Sequence, residues 1–96
     1  AVHFLAYEGD FPIGTARLLP SGEIGRVSVL KDWRGLKVGD ALMEAVIGEA
    51  EKRGQTKQTL SAQVHAAPFY ERLGFNIVSE EFLEVGIPHV DMVREA

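Results

Sequence analysis

Two stretches of the chain carry residues whose types and spacing can do chemistry. In the first, Val27-Ser28-Val29 leads through Trp33 into Arg34-Gly35-Leu36-Lys37-Val38-Gly39-Asp40: a strand-like segment ends, a polar loop containing glycine follows, and a long amphipathic segment starts at once. The first N–H groups of a helix have no intrahelical acceptor and carry the positive end of its dipole, so such a junction suits a phosphate or pyrophosphate. Arg34 and Lys37 add two cations at the same mouth, and Gly35 and Gly39 let a ligand approach the backbone. The second stretch, Gln63 to Phe75 (QVHAAPFYERLGF), gathers His65, Tyr70 and Arg72 around a short helix. The chain has three histidines and no cysteine, and no histidine pair shows ligand spacing on a helix face, so neither thiolate nor zinc chemistry is expected.

The elements that must position these residues follow from periodicity. Residues 1–7 and 12–19 are apolar runs separated by EGDF, which predicts a β-hairpin. EIGRVSVL (23–30) predicts a third strand antiparallel to the second, with Gly25, Val27 and Val29 sharing one face. From Val38 the spacing of Val38, Ala41, Leu42, Ala45 and Val46 predicts a helix that ends near Arg53, with Gly54 as a left-handed cap. KQTLSAQV (57–64) alternates as a fourth strand, and strand, helix, strand implies a parallel crossover. A short helix over about 65–73 is closed by Gly74; FNIV (75–78) is a short strand, and residues 83–94 form the last, with a bulge or edge at Gly86-Ile87-Pro88. The fold class is α/β, a mixed sheet carrying two helices.

Composition bounds the function. Ninety-six residues leave room for one domain and one core. Ten Lys+Arg against fourteen Asp+Glu give a net charge of -4, so no global positive field exists to hold a nucleic acid backbone. The apolar runs fall far short of a membrane span, no signal peptide is expected from the opening residues, and the absence of cysteine suits a reducing cytoplasm.

Taken together and in this order, the two stretches resemble the Gcn5-related N-acetyltransferase (GNAT) superfamily. Its first motif reads V-x-V, a short loop, then Gln/Arg-x-x-Gly-x-Gly/Ala; Arg34, Val38 and Gly39 match, and Lys37 stands at the middle glycine. Its second motif reads Asn-x-x-Ala-x-x-φ-Tyr-x-x-φ-Gly-Phe; Ala66, Phe69, Tyr70, Leu73, Gly74 and Phe75 match, with Gln63 in the Asn place. The ending Gly86-Ile87-Pro88-His89-Val90-Asp91-Met92 looks like the small bacterial ElaA/YjcF-like branch.

The resemblance implies an acyl-CoA N-acyltransferase fold: a mostly antiparallel mixed sheet with a central parallel pair and two helices, without the strand and two helices that precede the hairpin in other members. It implies acetyl-CoA as co-substrate, lying between the strand ending at Leu30 and strand 57–64, with its pantetheine arm along Val27 and Val29. The pyrophosphate would rest on Arg34, Gly35, Leu36, Lys37, Val38, Gly39 and Asp40, and Gln63, Phe69 and Arg72 complete the cofactor set. An acceptor amine would attack the thioester directly, a backbone N–H near Val29 would hold the oxyanion, and Tyr70 would protonate the leaving thiolate, with no metal. Glu23 lies nearest the usual place of the general base, with His65 and His89 as rivals. The alternative is a non-catalytic acyl-CoA-binding module. The acceptor is not specified, and the exposed edge at 83–94 invites pairing with a second copy.

Overall fold

The structure is a computed structural model describing residues 2–34 and 37–95. Strands β1 (Val2–Glu8), β2 (Phe11–Leu18) and β3 (Ile24–Val29) form an antiparallel sheet in the order β1-β2-β3. Helix α1 (Val38–Lys52) follows, and then β4 (Lys57–Gln63), helix α2 (Ala67–Arg72), β5 (Asn76–Ile77), β6 (Phe82–Glu84) and β7 (Ile87–Glu95). In the second sheet β7 lies between β4 on one edge and β5 and β6 on the other, all antiparallel to it.

One parallel bridge, Glu23 to Thr59, joins the two sheets, backed by Thr59 N–H donating to Gly22 O at 3.2 Å. Beyond it β3 and β4 splay, so the expected parallel pair exists at its apex alone. Between Gly25 and Ser28 the β2–β3 register slips by one residue, since Arg17 pairs with Gly25 while Thr15 pairs with Ser28. Such a bulge bends its strand and inverts the alternation. Val29 consequently faces α1, near Gly39, on the opposite side from Gly25, where strict alternation had put the two together.

A core of Ala16, Leu18, Ile24, Met43, Val46, Leu60, Phe75 and Met92 with their neighbours spans both sheets, each large side chain contributing about 1.5–3 kcal/mol by leaving water. Within α1 the buried stripe is Leu42, Met43, Val46, Ile47 and Ala50, whereas Ala41 and Ala45 are exposed. The helix has turned its larger side chains inward and left the small alanines, which gain least from burial, to solvent. The helix ends as expected at Lys52 with Gly54 at φ 76°.

Buried Gln58 donates to Gln55 O at 2.6 Å and accepts from Arg94 at 3.0 Å, while Arg94 also reaches Leu73 O at 3.1 Å. This network ties the end of α2 to β4 and β7. The last expected strand is in fact a hairpin: Val85 and Gly86 both take positive φ, 52° and 74°, as a two-residue turn with matching twist requires. Gly86 signals that turn; a β-branched valine beside it does not. The strand expected over 75–78 keeps only Asn76–Ile77, because Phe75 turns into the core, 1% exposed.

Candidate active site

The splay of β3 from β4 opens a cleft with two adjoining lobes that share Val27, Ser28, Val29, Arg34 and Ala66. The strand lobe, about 530 Å³, lies between the two strands and is closed by Tyr70, His65 and His89. The helix-end lobe, about 500 Å³, lies at the start of α1 and is bordered by Lys37, Gly39, Asp40, Phe69 and Arg72. From Ile24 onward β3 has no ladder with β4, so its backbone on that side is an edge inside the molecule, open to a ligand that adds like a strand.

Of the residues singled out from sequence, Val27, Val29, Arg34, Lys37, Gly39, Asp40, Gln63, Phe69, Tyr70 and Arg72 line this cleft. Val38 turns its side chain toward Gly14 of β2 instead, within 3.4 Å of the position a Cβ there would take. Gly35 and Leu36 lie outside the described residues. Glu23 borders the neighbouring groove with Thr59, Ser61 and Asp91, not the cleft. Ser61 of β4 also lines the strand lobe, and nothing in its type marks it, because the placement of β4 beside β3 and not sequence spacing brings it there.

Local chemistry at the helix end follows from the backbone. Lys37 caps α1 with φ 65°, the left-handed region, and offers no side-chain cap, so no side chain among the described residues covers the helix start. A glycine would take this conformation without strain, which explains the glycine in the motif; lysine takes it at a cost of about 1–2 kcal/mol. Arg34 folds back so that its Nε donates to Val29 O at 3.0 Å. Arg72 lies over the Phe69 ring, 5.8 Å from its centroid. Asp40 is the one carboxylate among the described residues of the two lobes, so a molecule of net charge -4 has a cationic cleft.

Tyr70 packs edge-on against Phe69 at 5.0 Å and Phe75 at 6.1 Å. Burial pushes its phenol above its ordinary pKa of 10.0, so it holds its proton throughout the physiological range and is able to donate it. Among the described residues no cluster of three or more metal-ligating side chains exists, and no helix is long and apolar enough to cross a membrane.

This combination, two antiparallel sheets parted at a bulge with a helix start at the open end, defines an acyl-CoA N-acyltransferase fold. The profile of the acetyltransferase (GNAT) domain matches residues 1–96, and the chain belongs to the GNAT family. It is 38% identical over 100 residues to protein ElaA of Escherichia coli, covering 97% of this chain and 65% of ElaA. The uncharacterized N-acetyltransferase YjcF of Bacillus subtilis is 37% identical over 97 residues, covering 97% of this chain and 69% of YjcF. The crystal structure of Escherichia coli ElaA superposes with a TM-score of 0.89 at 36% identity, covering 97% of this chain and 67% of that one. A GNAT family acetyltransferase from Elizabethkingia anophelis with acetyl-CoA bound shares the fold alone, with a TM-score of 0.83 at 21% identity, covering 98% and 75% of the two chains.

Proposed function

We propose that the chain is the catalytic part of an N-acetyltransferase that moves the acetyl group of acetyl-CoA to a primary amine by direct attack in a ternary complex. One observation carries this: a continuous cleft runs from the cationic start of α1, along the unpaired edge of β3, to the protonated Tyr70. The diphosphate of the co-substrate suits the positive end of α1 with Arg34, Lys37 and Arg72. Its amide-bearing arm suits the β3 edge at Val27 and Val29, with Gln63 facing it from β4. Family membership and the acetyl-CoA-bound relative support this choice of co-substrate.

In the transfer, a neutral amine attacks the thioester carbonyl, an N–H near Val29 stabilises the developing oxyanion, and Tyr70 protonates the departing thiolate. Titration with acetyl-CoA, read by amide shifts, tests the site. Joint movement of Val29 and Lys37 to Asp40 at micromolar ligand is expected. No movement up to millimolar acetyl-CoA would reduce the relationship to a shared fold.

A further inference from the structure

The proposed transfer leaves the acceptor unspecified beyond its amine. We propose that Arg17 narrows it: the acceptor also carries a carboxylate, which the Arg17 guanidinium holds beside the strand lobe while the amine reaches the thioester. The assignment rests on the acetyltransferase reading of the cleft.

Arg17 stands on β2 between Ala16 and Leu18, whose side chains are buried in the core. Alternation therefore turns Arg17 to the opposite face of the sheet. On β4 and β7 the same rule turns Ser61, Gln63 and His89 away from buried Leu60, Ala62 and Val90, and these three line the strand lobe. One core serves both sheets, so the lobe is reached from the face that Arg17 occupies. Directly across the β2–β3 ladder Arg17 pairs with Gly25, which lines the same lobe. Guanidinium Nη2 lies 4.0 Å from the position a Cβ on Gly25 would take. Gly25 has no side chain to set between the guanidinium and the lobe, and that close approach is what glycine permits.

The charge of Arg17 is uncompensated. Its Nε is sealed from solvent and has no hydrogen-bond partner among the described residues. Arg53 and Arg94 each hold a glutamate, whereas no ion pair among the described residues engages Arg17. Its neighbour across the β1–β2 ladder is His3, which brings no negative charge. A cation that has given up water without gaining an acceptor is costly to keep unless an anion joins it. A carboxylate suits the planar fork of a guanidinium. Glu23 and Asp91 border the adjoining groove, so one negative charge fits beside Arg17 better than the two of a phosphate ester, which those carboxylates repel.

Two measurements test the assignment. The first needs no turnover: in the CoA-bound protein the Arg17 Nε–Hε correlation should shift when glycine, β-alanine or γ-aminobutyrate is added, and stay in place with the matching carboxamide. In the second, CoA release from acetyl-CoA is followed with the same pairs and with phosphoethanolamine. Arg17→Gln should raise KM for the preferred amino acid about 30-fold, with kcat, carboxamide kinetics and CoA affinity each changing less than about 3-fold. Arg17→Lys, which keeps the charge and loses the fork, should fall between. Arg17→Gln should also melt no lower than the wild type, because it removes a charge that has no partner. Equal losses with amino acids and carboxamides, accompanied by a lower melting temperature, would make Arg17 merely structural and overturn the proposal. Preference for phosphoethanolamine over every amino acid, or no Nε–Hε shift with any of them, would overturn it too. Acetylation of carboxamides alone would sink this proposal and leave the acetyltransferase reading standing; a protein that neither binds CoA nor releases it from acetyl-CoA would sink both.

Discussion

The helix-end lobe takes Arg34, Lys37, Gly39 and Asp40 from one short run of sequence, whereas the strand lobe takes Gly25 from β3, Ser61 from β4, His65 from a turn, Tyr70 from α2 and His89 from β7. The first is a local device. Free N–H groups and nearby cations recur wherever a loop enters a helix in this way, so the ligand class is written in consecutive residues. The second is made by sheet register and by the bulge in β3, and its chemistry depends on partners far apart in the chain. On the proposed function, the co-substrate shared by the family would bind at the local device, and the groups that meet the acceptor would sit where topology assembles them.

Variants break this comparison at different strengths. Tyr70→Phe should lower turnover at least about 100-fold while changing CoA affinity less than about 2-fold, measured by thiol release and calorimetry. The same variant sharpens the pH behaviour. The buried phenol ionises only above the ordinary value of 10.0, so the unfolded chain loses this proton first and wild-type stability falls as pH rises past that point; Tyr70→Phe should remove that share of the fall in alkaline melts.

Gly22→Ala attacks the apex that sets the splay. Gly22 holds φ 91°, and a Cβ there would meet Lys57 O at 2.5 Å. A loss of about 3 kcal/mol, read as a melting temperature lower by roughly 10–20 °C, is expected. Arg34→Ala removes a cation shared by both lobes and should weaken CoA binding about 10-fold, with a shallower salt dependence. Val85→Asn, at an exposed turn that lines neither lobe, should relieve left-handed strain by about 1 kcal/mol, raise the melting temperature about 4–8 °C and leave CoA affinity unchanged.

The same contrast explains what the sequence disclosed. The two helices and the β1–β2 hairpin rest on periodicity and glycine caps, and they stand where periodicity puts them. The β6–β7 hairpin escaped because its turn uses Val85 where Asn or Asp is expected. The bulge in β3 escaped because nothing in GRVS announces an extra residue; only the pairing of Thr15 with Ser28 shows it. That one slip put Gly25 and Val29 on opposite faces. In the site, Tyr70 came from a motif, but the surroundings of His89 depend on a carbonyl two residues back, on a glutamate across the hairpin and on a stacked phenylalanine, and those contacts require the β6–β7 register.

The Glu23–Thr59 rung, the one bridge between the two sheets among the described residues, has a mechanical consequence. Two sheets joined by one backbone bridge and a shared core form a seam that is fastened at one end and unlaced along the rest. A ligand lying along β3 and touching β4 would act as the missing lacing, so binding and rigidity of the whole domain would rise together. Saturation at 100 times Kd adds about 2.7 kcal/mol of stability to any such fold. Here that gain would be concentrated in slowed amide exchange along the facing edges of β3 and β4, with the β6–β7 turn unaffected.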